Sequence, residues 1–207
     1  MTCSKIKIIQ LAQIDYSSSE QIQYKEKENV KQGLSQGTIY ILEHNPPIIT
    51  IGRHFGIDDI LLNNHDIEIK KTSRGGSTTA HEPGQVVIYF VLSIKSKNTA
   101  EFVNACVKPL ILLLSEKYSL LLEYNPKKPG LWVKDKKIAS VGFDLTDDIS
   151  MHGIAINISN DLNTFKYINP CGFESTVMTS LSKTLNKQID SENFSKECET
   201  YYSKYFS

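Results

Sequence analysis

The run Val86-Val87-Ile88-Tyr89-Phe90-Val91-Leu92 constrains the fold more than any other stretch of this chain. Consecutive apolar residues bounded by Pro83-Gly84 leave no polar face for water, so the segment reads as a central strand covered on both sides. A chain of 207 residues can bury a sizeable core around such a strand, and a single domain over residues 1–207 is expected.

The other elements arrange themselves around that strand. A strand is expected near Ile6–Gln13, followed by a helix from about Ser19 to Gln36, opened by a serine cap with Glu20 behind it and closed by Gly37. Thr38–Glu43 and Ile48–Gly52 read as a bent pair of strands interrupted by Asn45-Pro46-Pro47, which cannot continue a ladder. Another strand is expected near Ile67–Thr72. Asn98-Thr99-Ala100-Glu101 has the form of a capping box, and Phe102, Val103, Cys106, Val107, Leu110, Leu113, Leu114 and Tyr118 then recur at helical spacing, with Ile111 and Leu112 widening the apolar surface. "LWVKDKKIASVGFDL" reads as a hairpin turning at Asp135-Lys136, and "MHGIAINIS" as a strand with His152, Ile154, Ile156 and Ile158 on one face. A closing amphipathic helix starts near Ser191, with Phe194, Cys198, Tyr201, Tyr202 and Tyr205. Strand runs and helix runs are segregated, so the expected class is α+β with a mixed, largely antiparallel sheet and flanking helices.

Composition excludes several classes of function. The 23 basic and 23 acidic side chains cancel, and no run resembles a nucleic-acid-binding tail. The first ten residues hold only a short apolar run, and the apolar stretch "PLILLLSEKY" is interrupted by Lys108, Glu116 and Lys117, so neither a signal peptide nor a membrane span is expected. Cys3, Cys106, Cys171 and Cys198 lack paired or CxxC spacing, which fits a reducing compartment and a soluble cytoplasmic protein. The histidines His44, His54, His65, His81 and His152 have no metal-ligand spacing, and no metal or cofactor is expected.

Two segments carry candidate chemistry. In "RGGSTTAHEPG", Gly75-Gly76 lets the backbone approach a ligand and Pro83-Gly84 fixes a second turn; Ser77, Thr78, Thr79 and His81 between them offer hydrogen bonds. An irregular surface connection fits the same residues equally well. In "NPCGF", Cys171 stands between Pro170 and Gly172 and is presented from a turn, whereas Cys106 and Cys198 fall on apolar helix faces as small hydrophobes. Cys171 is therefore the thiol to choose as a nucleophile, with a structural turn cysteine as the alternative. A thiol near its ordinary pKa of ~8.5 needs a base or a cation to act as thiolate. Lys134, Asp135 and Lys136 read as an exposed turn; Lys137 begins the apolar strand Ile138-Ala139-Ser140-Val141-Gly142, from which its side chain can project into a site.

Taken in order, "EHNPPIITIGR", "RGGSTTAHEPGQVV", "GLWVKDKKIASVG", "HGIAINI" and "NPCGF" resemble the lipoyl(octanoyl) transferases, also called lipoate-protein ligase B, over about residues 38–182. The resemblance implies the fold of biotin and lipoate protein ligases. It implies transfer of an octanoyl group from octanoyl-acyl carrier protein to the acceptor lysine of lipoyl domains, in 2-oxoacid dehydrogenase complexes and the glycine cleavage H protein. It implies Cys171 as acyl-thioester nucleophile and Lys137 as the partner that lowers its pKa. The matching motifs also imply a substrate site built from Arg74, Gly75, Gly76, Ser77, Thr78, Thr79, Ala80 and His81, from Ser140, Val141 and Gly142, and from His152, Gly153 and Ile154. No nucleotide is needed, because thioester to amide is downhill. The chain departs from the family pattern at Ala80, where an aromatic residue is usual, and at Glu82, where glycine is frequent. Two other readings remain at this level: an ATP-dependent lipoate or biotin ligase of the same fold, and a non-catalytic lipoyl-domain binding protein.

Overall fold

The computed structural model describes residues 5–56, 59–61, 66–95, 98–170 and 174–206. Strand β1 (Lys7–Ile14) leads to helix α1 (Tyr16–Lys31), capped by Asp15, whose carboxylate accepts from Ser18 N at 2.9 Å. The helix starts and ends earlier than the sequence suggests. Asp15 supplies the cap three residues ahead of Ser18, and Gly33 takes the left-handed φ of 72° that stops the helix. Gly37, expected as the stop, instead opens β2 (Gly37–His44) with φ 117°, where a Cβ would meet the Val91 carbonyl oxygen at 2.5 Å.

The prolines after β2 do more than bend a pair of strands. They send β3 (Ile48–Ile51) into a separate sheet, in which it pairs parallel with β4 (Glu68–Lys71) and antiparallel with β5 (Thr78–His81). Strand β5 lies inside the glycine-rich segment, so the stretch between the two turns is half strand rather than all loop.

Strand β6 (Gln85–Leu92) is buried at every residue and sits between β2 and β10 (Met151–Asn157). The large sheet runs β1-β2-β6-β10-β9-β8-β7, with β7 at Glu123–Tyr124, β8 at Gly130–Val133 and β9 at Lys136–Asp144. Only its β1–β2 pair is parallel. The β8–β9 hairpin turns at Lys134-Asp135, one residue before the expected position, because Lys134 adopts φ 54°.

Helix α2 (Thr99–Tyr118) is capped by Asn98, whose Oδ1 accepts from Glu101 N at 2.8 Å. Together with α4 (Ser191–Phe206) it covers one face of the large sheet, burying Ile39, Ile88, Phe90, Ile156, Leu110 and Tyr202 in the main core. Cys106 and Cys198 lie fully buried there as expected, and burial pushes the Cys198 thiol well above its ordinary pKa. A short helix α3 (Leu181–Leu185) joins the sheet to α4. On the opposite face, α1 packs over Tyr40, Leu42, Val87, Tyr89 and Val91. Among the described residues no helix is long and apolar enough to cross a membrane.

Candidate functional site

The face of the large sheet that α2 and α4 leave uncovered also meets the small sheet, and a slot opens between the two. Its lining includes Arg74, Gly75, Gly76, Thr79, His81, Ser140, Val141, Gly142, His152, Gly153 and Ile154, all expected from the sequence, together with Tyr16, Val87, Tyr89 and Ala155. The hollow takes in about 440 Å³ with its open mouth, yet a water molecule's centre can range over only about 30 Å³ of it, so it is narrow. Small residues make it possible: Ser140 and Gly142 on β9, and Ala155 on β10. A Cβ on Gly142 would stand 3.1 Å from the Gly75 carbonyl oxygen and 3.5 Å from Arg74 Cδ.

Two of the expected residues turn elsewhere as strand alternation in β5 dictates, and Ser77, just ahead of the strand, is also absent from the lining. Thr79 and His81 face the slot, while Thr78 donates from Oγ1 to the Asn169 carbonyl at 3.1 Å and Ala80 joins Ile49, Phe165 and Ile168 in a separate apolar cluster. Ser77 donates its hydroxyl to Asp59. The residue in place of the family's aromatic is thus packed away from the slot. Glu82, the other departure, is buried, and its carboxylate accepts from Asn160 Nδ2, Leu162 N and Thr164 N at 2.8, 2.8 and 2.9 Å.

Arg74 works on the architecture of the glycine loop. It donates to Thr50 O at 2.7 Å, to Thr50 Oγ1 at 2.9 Å and to the Gly75 carbonyl at 3.0 Å. Gly75 N reaches the Phe143 carbonyl at 2.9 Å, and His54 N the Gly76 carbonyl at 3.0 Å, which suspends the loop between β9 and the segment after β3.

Three histidines far apart in sequence converge here: His81 and His152 line the slot, and His44 packs against His81 and Tyr89. His44 and His81 have ring centroids 5.1 Å apart, Tyr16 stacks on His81 at 6.0 Å, and Tyr89 stands between His44 and His152. His152 leaves the isoleucine face on which alternation would put it, because its φ of 61° swings the ring across to Tyr89. Hydrogen bonds fix the tautomers. Gln85 Nε2 donates to Ala80 O and Asn157 Oδ1, so Gln85 Oε1 accepts from His81 Nδ1 at 2.8 Å and the His81 Nε2 lone pair is left over. His44 Nδ1 donates to the Ile14 carbonyl at 3.2 Å, so its Nε2 accepts from Tyr89 Oη at 2.8 Å. Burial pushes His44 down to about 4, His152 down to about 3 and His81 well below the ordinary value, so all three are neutral near pH 7. No group of three or more His, Cys, Asp or Glu able to hold a metal occurs among the described residues, and His65 lies outside them.

Lys137 is fully buried in β9. Its carbonyl accepts from Thr179 N at 3.0 Å, and Met178 forms an isolated bridge with it. Cys171, the expected nucleophile, lies outside the described residues, as do Gly172 and Phe173. The segments on either side are tied down beside the slot: Asn169 to Thr78 and to the Asp59 carbonyl, Met178 and Thr179 to Lys137. Of the unexpected lining residues, Val87, Tyr89 and Ala155 follow from alternation along β6 and β10; nothing local marks Tyr16, or His44 behind the lining.

A mixed sheet closed by a smaller one over a narrow slot is the fold shared with lipoate and biotin protein ligases. Lipoate-bound LipL1 of P. falciparum matches with a TM-score of 0.76 at 14% identity over 97% of this chain, which spans 62% of that one. Biotin protein ligase of Aquifex aeolicus matches with a TM-score of 0.60 at 18% identity, covering 97% of this chain and 70% of that one. The lipoyl protein ligase A/B catalytic domain model matches residues 15–203, and the chain belongs to that family. It is 35% identical to the octanoyltransferase of Alkaliphilus metalliredigens over 209 residues, covering 98% of this chain and 95% of the relative.

Proposed function

We propose that this protein is a single-domain octanoyltransferase that carries an octanoyl group on Cys171 from octanoyl-acyl carrier protein to the acceptor lysine of a lipoyl domain. The observation that carries the reading is the slot itself, narrow and floored by Ser140, Gly142 and Ala155, the first two on the strand that also bears the buried Lys137. Burying the methylenes of an octanoyl tail at ~0.8 kcal/mol each gives ~5 kcal/mol of gross binding, enough to discriminate chain length. Kinship with curated octanoyltransferases supports the same reading.

In the first half-reaction the Cys171 thiolate, favoured by the Lys137 ammonium, attacks the thioester carbonyl carbon. The tetrahedral intermediate collapses, the bond to the carrier sulfur breaks, and Lys137 protonates that sulfur as it leaves. Backbone N–H groups of the glycine-rich segments are suited to hold the oxyanion. In the second half, neutral Lys137 takes a proton from the acceptor amine as its nitrogen attacks the acyl-Cys171 carbon. The amide forms, and the Cys171 thiolate returns beside a charged lysine. The proposed acceptors are the lipoyl domains of 2-oxoacid dehydrogenase complexes and the glycine cleavage H protein.

Intact-mass spectrometry after mixing with octanoyl-carrier protein tests this. One octanoyl group, released by hydroxylamine, is expected on the wild type, and none on Cys171→Ala, whose transfer rate falls more than ~10³-fold. Lys137→Arg is expected to lose most activity, since arginine keeps the charge but cannot release the proton. Transfer from free octanoate that requires ATP would favour the ligase reading instead.

A further inference from the structure

We infer that Gly130 is a positioning residue: with the β-bulge beside it, it sets Lys137 on the slot face of the sheet instead of in the hydrophobic core. This rests on the Cys171–Lys137 reading above but concerns how the fold delivers the lysine, which neither residue explains by itself.

Regular alternation would send Lys137 the wrong way. Ala139 and Leu131 are paired and both lie in the main core, so in an unbroken ladder Lys137, two residues from Ala139, would share that apolar face. An ammonium there would lack the solvation it has in water. The ladder is broken once. Leu131 pairs with Ala139, but Trp132 pairs with Lys137, leaving Ile138 as the extra residue. Ile138 and Ala139 then both enter the core, each fully buried, and Lys137 moves to the face of Ser140 and Gly130. That is the slot face, since Thr79 Oγ1 donates to Ser140 Oγ across it at 3.3 Å.

The bulge sets the face, and Gly130 clears the path. The lysine side chain runs forward along its strand, from its pair with Trp132 toward residue 130, the cross-strand partner of Ser140. A Cβ built on Gly130 would stand 2.4 Å from the Ala139 carbonyl oxygen, 2.5 Å from Lys137 Cε and 3.4 Å from Lys137 Cδ. Gly130 does not have the positive φ that would explain a glycine by backbone conformation. Space is the reason for it, and that space is shared by the Ala139 carbonyl and the lysine stem.

Alkylation of Cys171 by iodoacetamide, followed by peptide mass spectrometry as a function of pH, reports how well the ammonium supports the thiolate. Gly130→Ala is expected to raise the midpoint by about one pH unit, toward that of Lys137→Ala. In the Lys137→Ala background it is expected to change neither the midpoint nor the acylation rate further. A folded Gly130→Ala protein with the wild-type midpoint, or one losing the same factor of rate in both backgrounds, would overturn the inference. If Gly130→Ala alone does not fold, thermal melts of the double variant decide. Recovery of folding when Lys137 is truncated supports the steric link, and equal loss in both backgrounds assigns Gly130 to the Ala139 contact and refutes it. The alkylation profile uses no acyl donor, so failure of the octanoyl reading shows up separately, as a wild type that takes no octanoyl group.

Discussion

The two faces of the large sheet are made from alternate residues of the same strands and do opposite things. Toward α2 and α4 the strands present Ile88, Phe90, Ile138 and Ile156, large side chains that fill the space to closure. Toward α1 and the small sheet the neighbouring positions present Ser140, Gly142 and Ala155, which stop short of the opposite wall and leave the slot. Hydrophobicity is common to both faces; side-chain volume separates them. A core face trades any void for stability, whereas a binding face keeps one at the cost of packing.

Filling or emptying each face should therefore have opposite signatures. On the slot face, Ala155→Leu puts three carbons into the slot. Acylation by octanoyl-carrier protein should fall at least ~10-fold, on the scale of the lost methylene burial, while a hexanoyl donor loses less; an unchanged chain-length profile would mean the slot does not hold the acyl tail. On the other face, Leu110→Ala should cost about 2–5 kcal/mol in urea unfolding and leave kcat/KM for the folded enzyme close to wild type.

The slot face also carries a pH liability that the core face lacks. His44 and His152 are held down to about 4 and about 3 by burial, against ~6.5 in the unfolded chain. The unfolded state binds more protons in that window, so this stability is fully present above pH ~6.5 and is lost as pH falls toward the folded values. Thermal melts between pH 7 and 5 should show the decline, and His44→Gln should flatten the slope by up to ~1.4 kcal/mol per pH unit. The smallest effect is expected at the exposed Lys196–Glu192 pair on α4, 2.8 Å apart. Lys196→Ala should shift stability by less than ~0.5 kcal/mol and leave transfer unchanged.

Local pattern made much of this molecule readable. The apolar run of β6, the Asn98 cap of α2 and the helical spacing of α4 each carry their signal within a few residues, and the structure matches them. The turn chemistry of "RGGSTTAHEPG" marked a site region, but not that Thr78–His81 would join a second sheet and divide its side chains between slot and core. His152 was misassigned to the isoleucine face because a positive φ in a non-glycine residue has no counterpart in hydrophobic periodicity. The helix boundaries of α1 moved because Asp15 outcompeted the later serines as a cap.

By itself the sequence determined the elements, the class and the motif residues, because propensity, capping and alternation act over distances of a few residues. Only the tertiary structure decided which alternate residues would face a void, that Tyr16, His81 and His152 would meet along it with His44 behind them, and that one extra residue in β9 would move a lysine from the core face to the slot face. Those outcomes depend on pairing register and on what stands opposite each strand, and neither is written in any single segment.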